Sequence, residues 1–259
     1  MLMKKILDGI VVLDLTRFFS GPQCTLMLAA MGAEVIKVEV PGVGDLSRKM
    51  GADAAAGRKQ MGTSYLAFNG NKKSMTLNLK SETGKAVFRR LAETADVVLE
   101  NFRPGAMERL GLSAESLRAL NPRLIYCAVS GFGQTGPLAE RASYDQIIQG
   151  YTGLMSLTGD AETAPMKAGM VVCDTTAAIT AAFAIAACLV RRNATGQGET
   201  IDVSMLDASM GSMGAWLVSN YLNAGSIQKA IGNHSQTSAP SGTFRTKDAP
   251  LNIVNNEQK

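Results

Sequence analysis

One aspartate in this sequence, Asp174, stands where a carboxylate could react. It lies directly before Thr175, at the start of an apolar segment whose spacing predicts a helix over 174–192. In one interpretation Asp174 is the N-cap, whose side chain accepts hydrogen bonds from first-turn amides. In the other, a strand over 169–173 ends at Asp174, at the edge where open α/β sheets bind ligands. A carboxylate there, kept anionic by the helix dipole, can attack an acyl centre, and both roles can hold at once.

A second group of candidate residues is basic and lies beside glycine turns. Lys72 and Lys73 follow an Asn-Gly-Asn turn, and three arginines lie near predicted strand ends: Arg103, Arg109 and Arg141. As a group they could bind phosphates, because guanidinium and ammonium groups pair well with phosphate oxygens. Taken singly, each of them is more typical of a solvated surface.

The histidine and cysteine content limits the chemistry further. His234 is the only histidine, and its polar loop favours an exposed position without a catalytic role. The four cysteines lie far apart in apolar surroundings and form no Cys-x-x-Cys pair, so a zinc ribbon or a thioredoxin-type site is not expected. We therefore expect buried thiols in a reducing compartment, a cytoplasmic location and no bound metal.

Two glycine-containing loops follow predicted strands. The first, 17–22, has a single glycine, and Glu39 in the next strand takes the position of a ribose-binding acid. A dinucleotide fingerprint needs three glycines, however, and the bulky Phe18 and Phe19 would block the approach of a pyrophosphate. The second loop, 131–137, is either a substrate loop or an ordinary glycine-rich turn.

The elements that must position these residues alternate between strands and helices. Apolar, β-branched runs predict strands over 10–15, 34–40, 96–100, 124–130 and 199–204. Helical spacing predicts helices over 23–31, 81–95, 113–120, 174–192 and 206–223, while 42–71 shows no clear periodicity and is expected to be a long loop. This alternation indicates an open, doubly wound, largely parallel, Rossmann-like α/β sheet. Strands over 243–248 and 251–254 predict a hairpin that begins a small second domain.

The composition agrees with one large folded domain, or with one domain and part of another. The 259 residues (27.3 kDa) are 46% hydrophobic and 19% charged, which excludes a disordered chain. The net charge of +4 is modest and points to anionic small molecules rather than to nucleic acid. The longest apolar run, 177–190, fits a buried helix better than a membrane span, and the N-terminus lacks a signal-peptide pattern. We expect no membrane association.

A series of short motifs runs in order from Leu7 to the end of the chain. They are LDGIVVLDLT from Leu7, GP from Gly21, MGAEVIKVE from Met31, NKKS from Asn71, ENFRPG from Glu100, RLGL from Arg109, LNPR from Leu120, SGFG from Ser130, TGQG from Thr195, SMLDA from Ser204 and SGTFRTKD from Ser241. In this order and register they resemble the class III CoA-transferase family. That family includes formyl-CoA transferases, carnitine CoA-transferases and α-methylacyl-CoA racemases.

The resemblance implies that Asp174 is the catalytic aspartate of a CoA-transferase. Its carboxylate would attack the thioester carbonyl of an acyl-CoA donor, giving a mixed anhydride and free CoA thiolate. The thiolate would then attack the aspartyl carbonyl, release the donor acid and leave an aspartyl-CoA thioester. An acceptor carboxylic acid would take CoA from this thioester by the reverse steps. The CoA thioester is thus a substrate, and no permanently bound cofactor is expected.

The resemblance also implies a set of substrate-binding and CoA-binding residues. They are Arg17, Phe19, Lys72, Lys73, Asn101, Phe102, Arg109, Tyr144 and Met205. Asn101, Phe102 and Arg109 match a CoA-binding segment of the family. Tyr144 and Met205 match positions that contact CoA or line the acyl pocket, and one of the two lysines would meet the CoA phosphates.

Two of these positions bear on the type of reaction. Tyr144 stands where the racemases have a histidine that serves as a second acid or base. Because a phenol is a poor base at neutral pH, racemisation is disfavoured and transferase chemistry is expected. Phe19 stands where formyl-CoA transferases have a glutamine, which argues against formate and oxalate as substrates. The alternatives are an acyl-CoA epimerase and a CoA-binding protein without turnover.

Family membership would also imply a domain organisation and an assembly. Members are longer than this chain and form interlocked homodimers, in which each chain is a ring threaded by its partner. The resemblance therefore implies a CoA-binding domain over 1–205, a linker helix and loop over 206–231, and only the beginning of a small domain over 232–259. A chain ending at Lys259 would not close such a ring by itself.

Overall fold

The computed structural model describes residues 5–235 and 237–255 and is built around a six-stranded sheet. Its strands are β1 (Val11–Asp14), β2 (Glu34–Glu39), β3 (Lys73–Thr76), β4 (Val97–Glu100), β5 (Ile125–Ser130) and β6 (Thr200–Ser204). All neighbouring strands are parallel, in the order β3-β2-β1-β4-β5-β6. This is the strand order of a doubly wound, Rossmann-like sheet, so the predicted α/β fold is confirmed.

Helices cover both faces of the sheet. They are α1 (Ser20–Ala30), α2 (Ala54–Arg58), α3 (Thr63–Asn69), α4 (Glu82–Ala92), α5 (Ala106–Arg109), α6 (Ala114–Leu120), α7 (Asp145–Tyr151), α8 (Leu154–Leu157), α9 (Val172–Thr195) and α10 (Met205–Ala224). The segment predicted to be a long loop over 42–71 contains a 3-10 turn, Leu46–Lys49, together with α2 and α3. The predicted hairpin forms from β7 (Gly242–Phe244) and β8 (Leu251–Ile253), which pair antiparallel.

The central strands are buried on both sides, because successive side chains of a strand point to opposite faces. On one face, Val12 and Ile125 pack in a core with residues of α1 and α9. On the other face, Leu13 and Val98 pack with residues of α4, α5 and α6. β1 and β4 are neighbours from which the chain continues towards opposite edges of the sheet. Their carboxyl ends therefore form the crevice in which open α/β sheets bind ligands.

Two parts of the fold differ from the sequence prediction. The strand predicted over 169–173 does not form, and α9 begins there instead, at Val172. In the structure, the backbone N–H of Cys173 donates to a side chain of α7 and so joins no strand ladder. β3 was not predicted, because its side chains are mostly exposed and lack the apolar pattern of a buried strand. Pairing with β2 forms it.

Helix α9 is apolar around much of its circumference but is buried on only one side. Ala177, Ala181 and Ile185 are fully buried, whereas Ile179 and Phe183 are 54% and 75% exposed. Among the described residues, this is the one helix whose length and hydropathy would allow it to cross a membrane. Its buried side belongs to the core of the sheet, and core helices meet the same criterion. The prediction of a buried helix over 177–190 holds for this side only.

Candidate active site

The loop after β1 and the residue after β4 are joined by reciprocal hydrogen bonds. The Arg17 backbone N–H donates to Asn101 Oδ1, and Asn101 Nδ2 donates to the Arg17 carbonyl oxygen, each at 2.8 Å. Asn101 Nδ2 also lies 3.4 Å from Ser20 Oγ at the start of α1. Asn101 thereby fixes the loop 17–20 in the crevice between β1 and β4.

Aromatic and cationic side chains line this loop. Phe18 has a φ of 65°, a left-handed conformation that is strained for an aromatic residue. Its ring meets that of Tyr144 edge to face, with 6.3 Å between centroids. Phe19 packs edge to face on a phenylalanine of α3. The Arg17 guanidinium lies 4.9 Å from the centroid of the Phe102 ring. The loop thus presents an aromatic wall with one positive charge beside it.

Asp174 lies in the first turn of α9 and is half-buried. It is not the N-cap, as one interpretation predicted, because Val171 holds that position. Burial raises the pKa of Asp174 to about 6, and the nearby charge of Asp145 adds to the rise. Hydrogen bonding from the side chain and backbone of Ser20 partly offsets it. Ser20 therefore connects Asp174 to the loop that Asn101 fixes.

Asp145, the first residue of α7, supplies the cap that α9 lacks. Its Oδ2 accepts the backbone N–H of Cys173 at 2.8 Å and that of Asp174 at 3.1 Å. Sequence reasoning missed Asp145 and Ser20. The contact between Asp145 and α9 joins positions far apart in the chain, so no local pattern reveals it. The only available signal was that Asp145 directly follows Tyr144.

A third carboxylic acid, Glu100, ends β4 just before Asn101. Its Oε2 accepts the backbone N–H of Phe102 at 2.7 Å, which fixes the turn that carries Asn101 and Phe102. Burial raises the pKa of Glu100 to about 7, although hydrogen bonds from Phe102 and Tyr126 act in the opposite direction. Glu100 therefore shapes this segment from inside the protein.

The structure corrects the role predicted for Lys72. Its ammonium is buried 3.1 Å from Asp14 Oδ2, and Asp14 is itself fully buried at the end of β1. The remaining acceptors around Lys72 Nζ are the Pro22 carbonyl oxygen, Thr25 Oγ1 and Asn69 Oδ1. An ammonium with three hydrogens and four oxygen partners has no donor left for a CoA phosphate. Lys72 stabilises the interior instead.

A second buried ion pair supports the loop 17–20 from behind. Lys37 Nζ lies 3.1 Å from Asp45 Oδ2 and donates to the Thr16 carbonyl oxygen at 2.7 Å. Asp45 Oδ1 accepts the backbone N–H of Phe18 at 3.4 Å. The strained Phe18 is thus held on one side by Asp45 and on the other by the bonds between Arg17 and Asn101.

The remaining predicted residues differ in their surroundings. Lys73 lies on β3 and pairs with Glu34 on the surface, which separates it from the crevice. Tyr144 is 72% exposed, whereas Met205 is buried at the start of α10. In the part of the chain that the structure describes, no carboxylate lies within 4.0 Å of the Arg109 guanidinium. Arg109 is therefore available to an anionic ligand.

His234 lies in a different place, at the hairpin. It lines a cleft of about 490 Å³ together with hydroxyl-bearing residues such as Ser238 and Ser241. This cleft is formed by residues 233–254, away in sequence from every residue predicted for the site. The expectation that His234 has no catalytic role stays a prediction.

Comparison with known proteins agrees with this architecture. A profile of CoA-transferase family III matches residues 7–259. A succinate–glutarate CoA-transferase from Agrobacterium fabrum is 43% identical over 248 residues, covering 95% of this chain and 62% of that protein. A human succinyl-CoA:glutarate CoA-transferase is 37% identical over 256 residues, covering 98% of this chain and 58% of the relative.

Solved structures give the same result. A CAIB/BAIF family protein from Brucella suis aligns with a TM-score of 0.89 at 38% identity, covering 97% of this chain and 66% of its own. Rv3272 from Mycobacterium tuberculosis aligns with a TM-score of 0.83 at 35% identity, covering 96% and 64%. The chain thus spans about 60% of the length of the curated relatives it matches. By profile, sequence identity and fold, the chain belongs to CoA-transferase family III.

Proposed function

We propose that this protein transfers CoA from an acyl-CoA donor to a carboxylic acid through a covalent intermediate on Asp174. The observation that carries the proposal is the state of that carboxylate. It is half-buried beside the crevice, Ser20 lies close enough to lower its pKa, and a pKa of about 6 leaves it mostly ionised at pH 7. A carboxylate this poorly solvated is a better nucleophile than one in water.

Each proposed step balances without a further reactant. An Asp174 oxygen attacks the thioester carbonyl carbon, the C–S bond breaks, and CoA leaves as a thiolate. The thiolate attacks the aspartyl carbonyl carbon of the mixed anhydride, the C–O bond breaks, and the donor acid leaves as a carboxylate. The acceptor carboxylate then attacks the aspartyl thioester, and the same two steps run in reverse. Asp174 is regenerated with its charge.

In this proposal, different residues around the crevice bind different parts of the substrate. Arg109 meets the anionic groups of CoA, and Phe102 supports the path of CoA along the carboxyl end of β4. Phe19 and Tyr144 form the wall against which the acyl group lies. This assignment is supported by the exposure of Tyr144 and the unpaired guanidinium of Arg109 described above.

For the acceptor, we propose a short dicarboxylic acid. Relatives at 37–43% identity carry the names of glutarate, oxalate, D-citramalate and mesaconate transferases, and all four of these acids are dicarboxylic. Arg17 beside the aromatic wall supplies a cation for the second carboxylate. A panel of these acids with succinyl-CoA as donor identifies the preferred acceptor.

Trapping with hydroxylamine tests the covalent intermediate. The protein is incubated with succinyl-CoA and hydroxylamine, and the peptide that contains Asp174 is examined by mass spectrometry. We expect an aspartyl hydroxamate on Asp174 and loss of CoA transfer in Asp174→Ala. Asp207→Asn is the matched control, because Asp207 lies in the first turn of α10 but is exposed. If no adduct forms and Asp174→Ala exchanges CoA as fast as the wild type, the proposal is wrong.

Deuterium incorporation separates this function from epimerisation. With a 2-methylacyl-CoA in deuterated water, an epimerase exchanges the hydrogen on the α-carbon, whereas the proposed transferase leaves it in place. Rapid exchange that depends on Tyr144 or Asp174 would favour the epimerase.

We also propose that the protein is a homodimer. The exposed apolar side of α9, defined by Ile179, Phe183 and Val190, supports this, because single-chain proteins rarely leave a continuous apolar stripe in water. The mass of the assembly, measured by light scattering, tests the proposal directly.

A further inference from the structure

The first turn of α9 is capped by a side chain from another helix. The N-cap residue Val171 provides no side-chain hydrogen bond, so the first backbone N–H groups of α9 need other acceptors. Asp145 Oδ2 accepts two of them, from Cys173 at 2.8 Å and from Asp174 at 3.1 Å. Asp145 is only 7% exposed. The residue that carries the reactive carboxylate is thus bonded through its own backbone to a second buried carboxylate.

Gln149 holds Asp145 in this position. Its Nε2 donates to Asp145 Oδ1 and lies 3.3 Å from the Met170 carbonyl oxygen, and its Oε1 accepts the Ala168 N–H at 2.8 Å. Gln149 is 1% exposed, so these bonds form out of contact with water. Asp145 therefore has a fixed orientation, and so does the segment that enters α9.

The electrostatic consequence follows from the position of the charge. A helix N-terminus by itself stabilises an anion, which would lower the basicity of a carboxylate in its first turn. Asp145 accepts the N–H groups of Cys173 and Asp174 and adds a negative charge near the Asp174 carboxylate, and both effects act in the opposite direction. No Lys, Arg or His lies on α1, α7, α10, β5 or β6, the elements packed most closely against α9.

The ionisable groups on those elements are few. The carboxylates are Asp145, Asp202 and Asp207, and the others are thiols and phenols: Cys24, Cys127, Tyr126, Tyr151 and Tyr221. In the loop 17–20, the cation Arg17 stacks on Phe102. Of all these groups, Asp145 is the one whose charge acts on Asp174.

We propose that Asp145 is a positioning residue that fixes the first turn of α9 and keeps the Asp174 carboxylate strongly nucleophilic. The inference rests on the proposed transferase function. In the first step it favours attack, because a more basic oxygen forms the bond to the thioester carbon more readily. Asp145 itself forms no bond to substrate in this mechanism.

The test is the Asp145→Asn variant, which keeps an oxygen acceptor for the two N–H groups and removes the charge. Carboxyl carbons are labelled with ¹³C and titrated by NMR, and the Asp174 signal is identified by its loss in Asp174→Asn. In the wild type we expect a midpoint near the pKa of about 6. In Asp145→Asn we expect it to fall, because the charge of Asp145 no longer raises it, while burial still keeps it above the ordinary aspartate value of about 3.9. Asp207→Asn is the control and leaves the midpoint in place.

The kinetic arm of the test uses the same variants. In Asp145→Asn the acid limb of the kcat profile moves to lower pH together with the NMR midpoint. The plateau above pH 7 falls by roughly threefold for each unit by which the midpoint falls, which is the dependence of nucleophilicity on pKa found for thiols. A role of Asp145 in folding alone would lower the unfolding midpoint and leave both titrations unchanged. Such a result overturns the proposal.

A second variant and a substrate-free measurement make the result decisive. If Asp145→Asn does not fold because its amide faces that of Gln149, the double variant Asp145→Asn with Gln149→Met removes the opposing donor, and the same shift is expected. The NMR titration needs no substrate, whereas hydroxylamine trapping in the wild type needs turnover. A wild type that forms no aspartyl adduct therefore contradicts the transferase function, and an unshifted Asp174 midpoint contradicts the role of Asp145.

Discussion

At the scale of single residues, the site depends on a carboxylate that is costly to ionise. Asp174 gains little solvation in the folded protein, and Asp145 repels its charge. In the proposed mechanism this environment raises the reactivity of Asp174, and it must also lower the stability of the fold at neutral pH. Function and stability oppose each other at this position, which makes the assignment testable without a substrate.

Asp174→Asn is expected to stabilise the protein at pH 7. The folded-state pKa of about 6 lies above the unfolded value, so ionised Asp174 costs stability above pH 6. The cost disappears as the pH falls towards 4, where both states are protonated. Asp174→Asn is expected to raise the free energy of unfolding by about 2–3 kcal/mol at pH 7 and to leave it nearly unchanged at pH 4. Urea unfolding at both pH values measures it, with Asp207→Asn as control. Equal stability of wild type and variant at pH 7 would contradict the prediction.

Lys72→Met is expected to destabilise the protein by about 3–5 kcal/mol at pH 7, because it leaves Asp14 charged and buried and removes the ammonium that pairs with it. Burial alone would raise the pKa of Asp14, but Lys37, Lys72 and two threonine hydroxyls lower it to about 2. The stabilisation that ionised Asp14 contributes is present above pH 4 and is lost as the pH falls through 2. The difference in the free energy of unfolding between wild type and Lys72→Met, measured with urea, must therefore become smaller below pH 4.

Lys73→Met is the matched control for Lys72→Met. Lys73 is the next residue, but its pair with Glu34 is exposed and contributes at most about 1 kcal/mol. If Lys72 bound a CoA phosphate instead, Lys72→Met would weaken acyl-CoA binding and spare stability. That outcome would restore the role predicted from the sequence.

The two lysines show where residue-level prediction ends. The sequence places Lys72 and Lys73 side by side, and both types of residue bind phosphates. Which of them points inward depends on Asp14, at the end of a strand 58 positions earlier. The same limit applies to Asp145, whose partners in α9 lie 28 and 29 positions away. Short sequence patterns carry no information about contacts between residues so far apart in the chain.

At the scale of elements, prediction succeeded for the strands whose sequences contain buried apolar residues. β1, β4 and β5 have apolar residues on both faces, and their predicted bounds agree with the structure within one residue at each end. The segment 169–173 has a similar apolar run but enters a helix, because short apolar runs suit either structure. At the end of this segment the backbone N–H groups of Cys173 and Asp174 donate to Asp145 and are therefore not available to a neighbouring strand.

The junction of β1 and α1 offers a test of how this connection supports the site. A Cβ added to Gly21 would overlap Thr16 Cγ2, and Thr16 is buried and bonded to Asp14. Gly21→Ala is therefore expected to cost about 1–3 kcal/mol and to displace the loop 17–20. Thermal unfolding measures the first effect, and a reduced kcat for CoA transfer the second.

Gly70→Ala is the control for Gly21→Ala. A Cβ at Gly70 meets no atom within 4 Å, and its backbone conformation is open to alanine. We expect its unfolding temperature and kcat to match those of the wild type. If Gly21→Ala is equally harmless, the close packing of this connection does not position the loop.

At the scale of the whole molecule, the strand order brings together site residues that lie far apart in the sequence. Residues 17–20, 101 and 174 come from three parts of the chain and meet because β1 and β4 are adjacent while α9 packs on α1. The fold class and the family were predictable, since both rest on patterns repeated along the chain. The outer surface of α9 was not, because its sequence is apolar on the buried and exposed sides alike.

The last prediction concerns the exposed apolar side of α9. Phe183 is 75% exposed in the centre of the apolar stripe, between Ile179 and Val190. If the stripe is the contact between two copies, Phe183→Lys places two charges in an apolar interface and must shift the assembly towards monomers. Ile6→Lys is the control, because Ile6 is 86% exposed but stands outside the stripe. Light scattering across a dilution series measures the mass. A dimer that tolerates Phe183→Lys would place its interface elsewhere, and a monomeric wild type would refute the proposed homodimer.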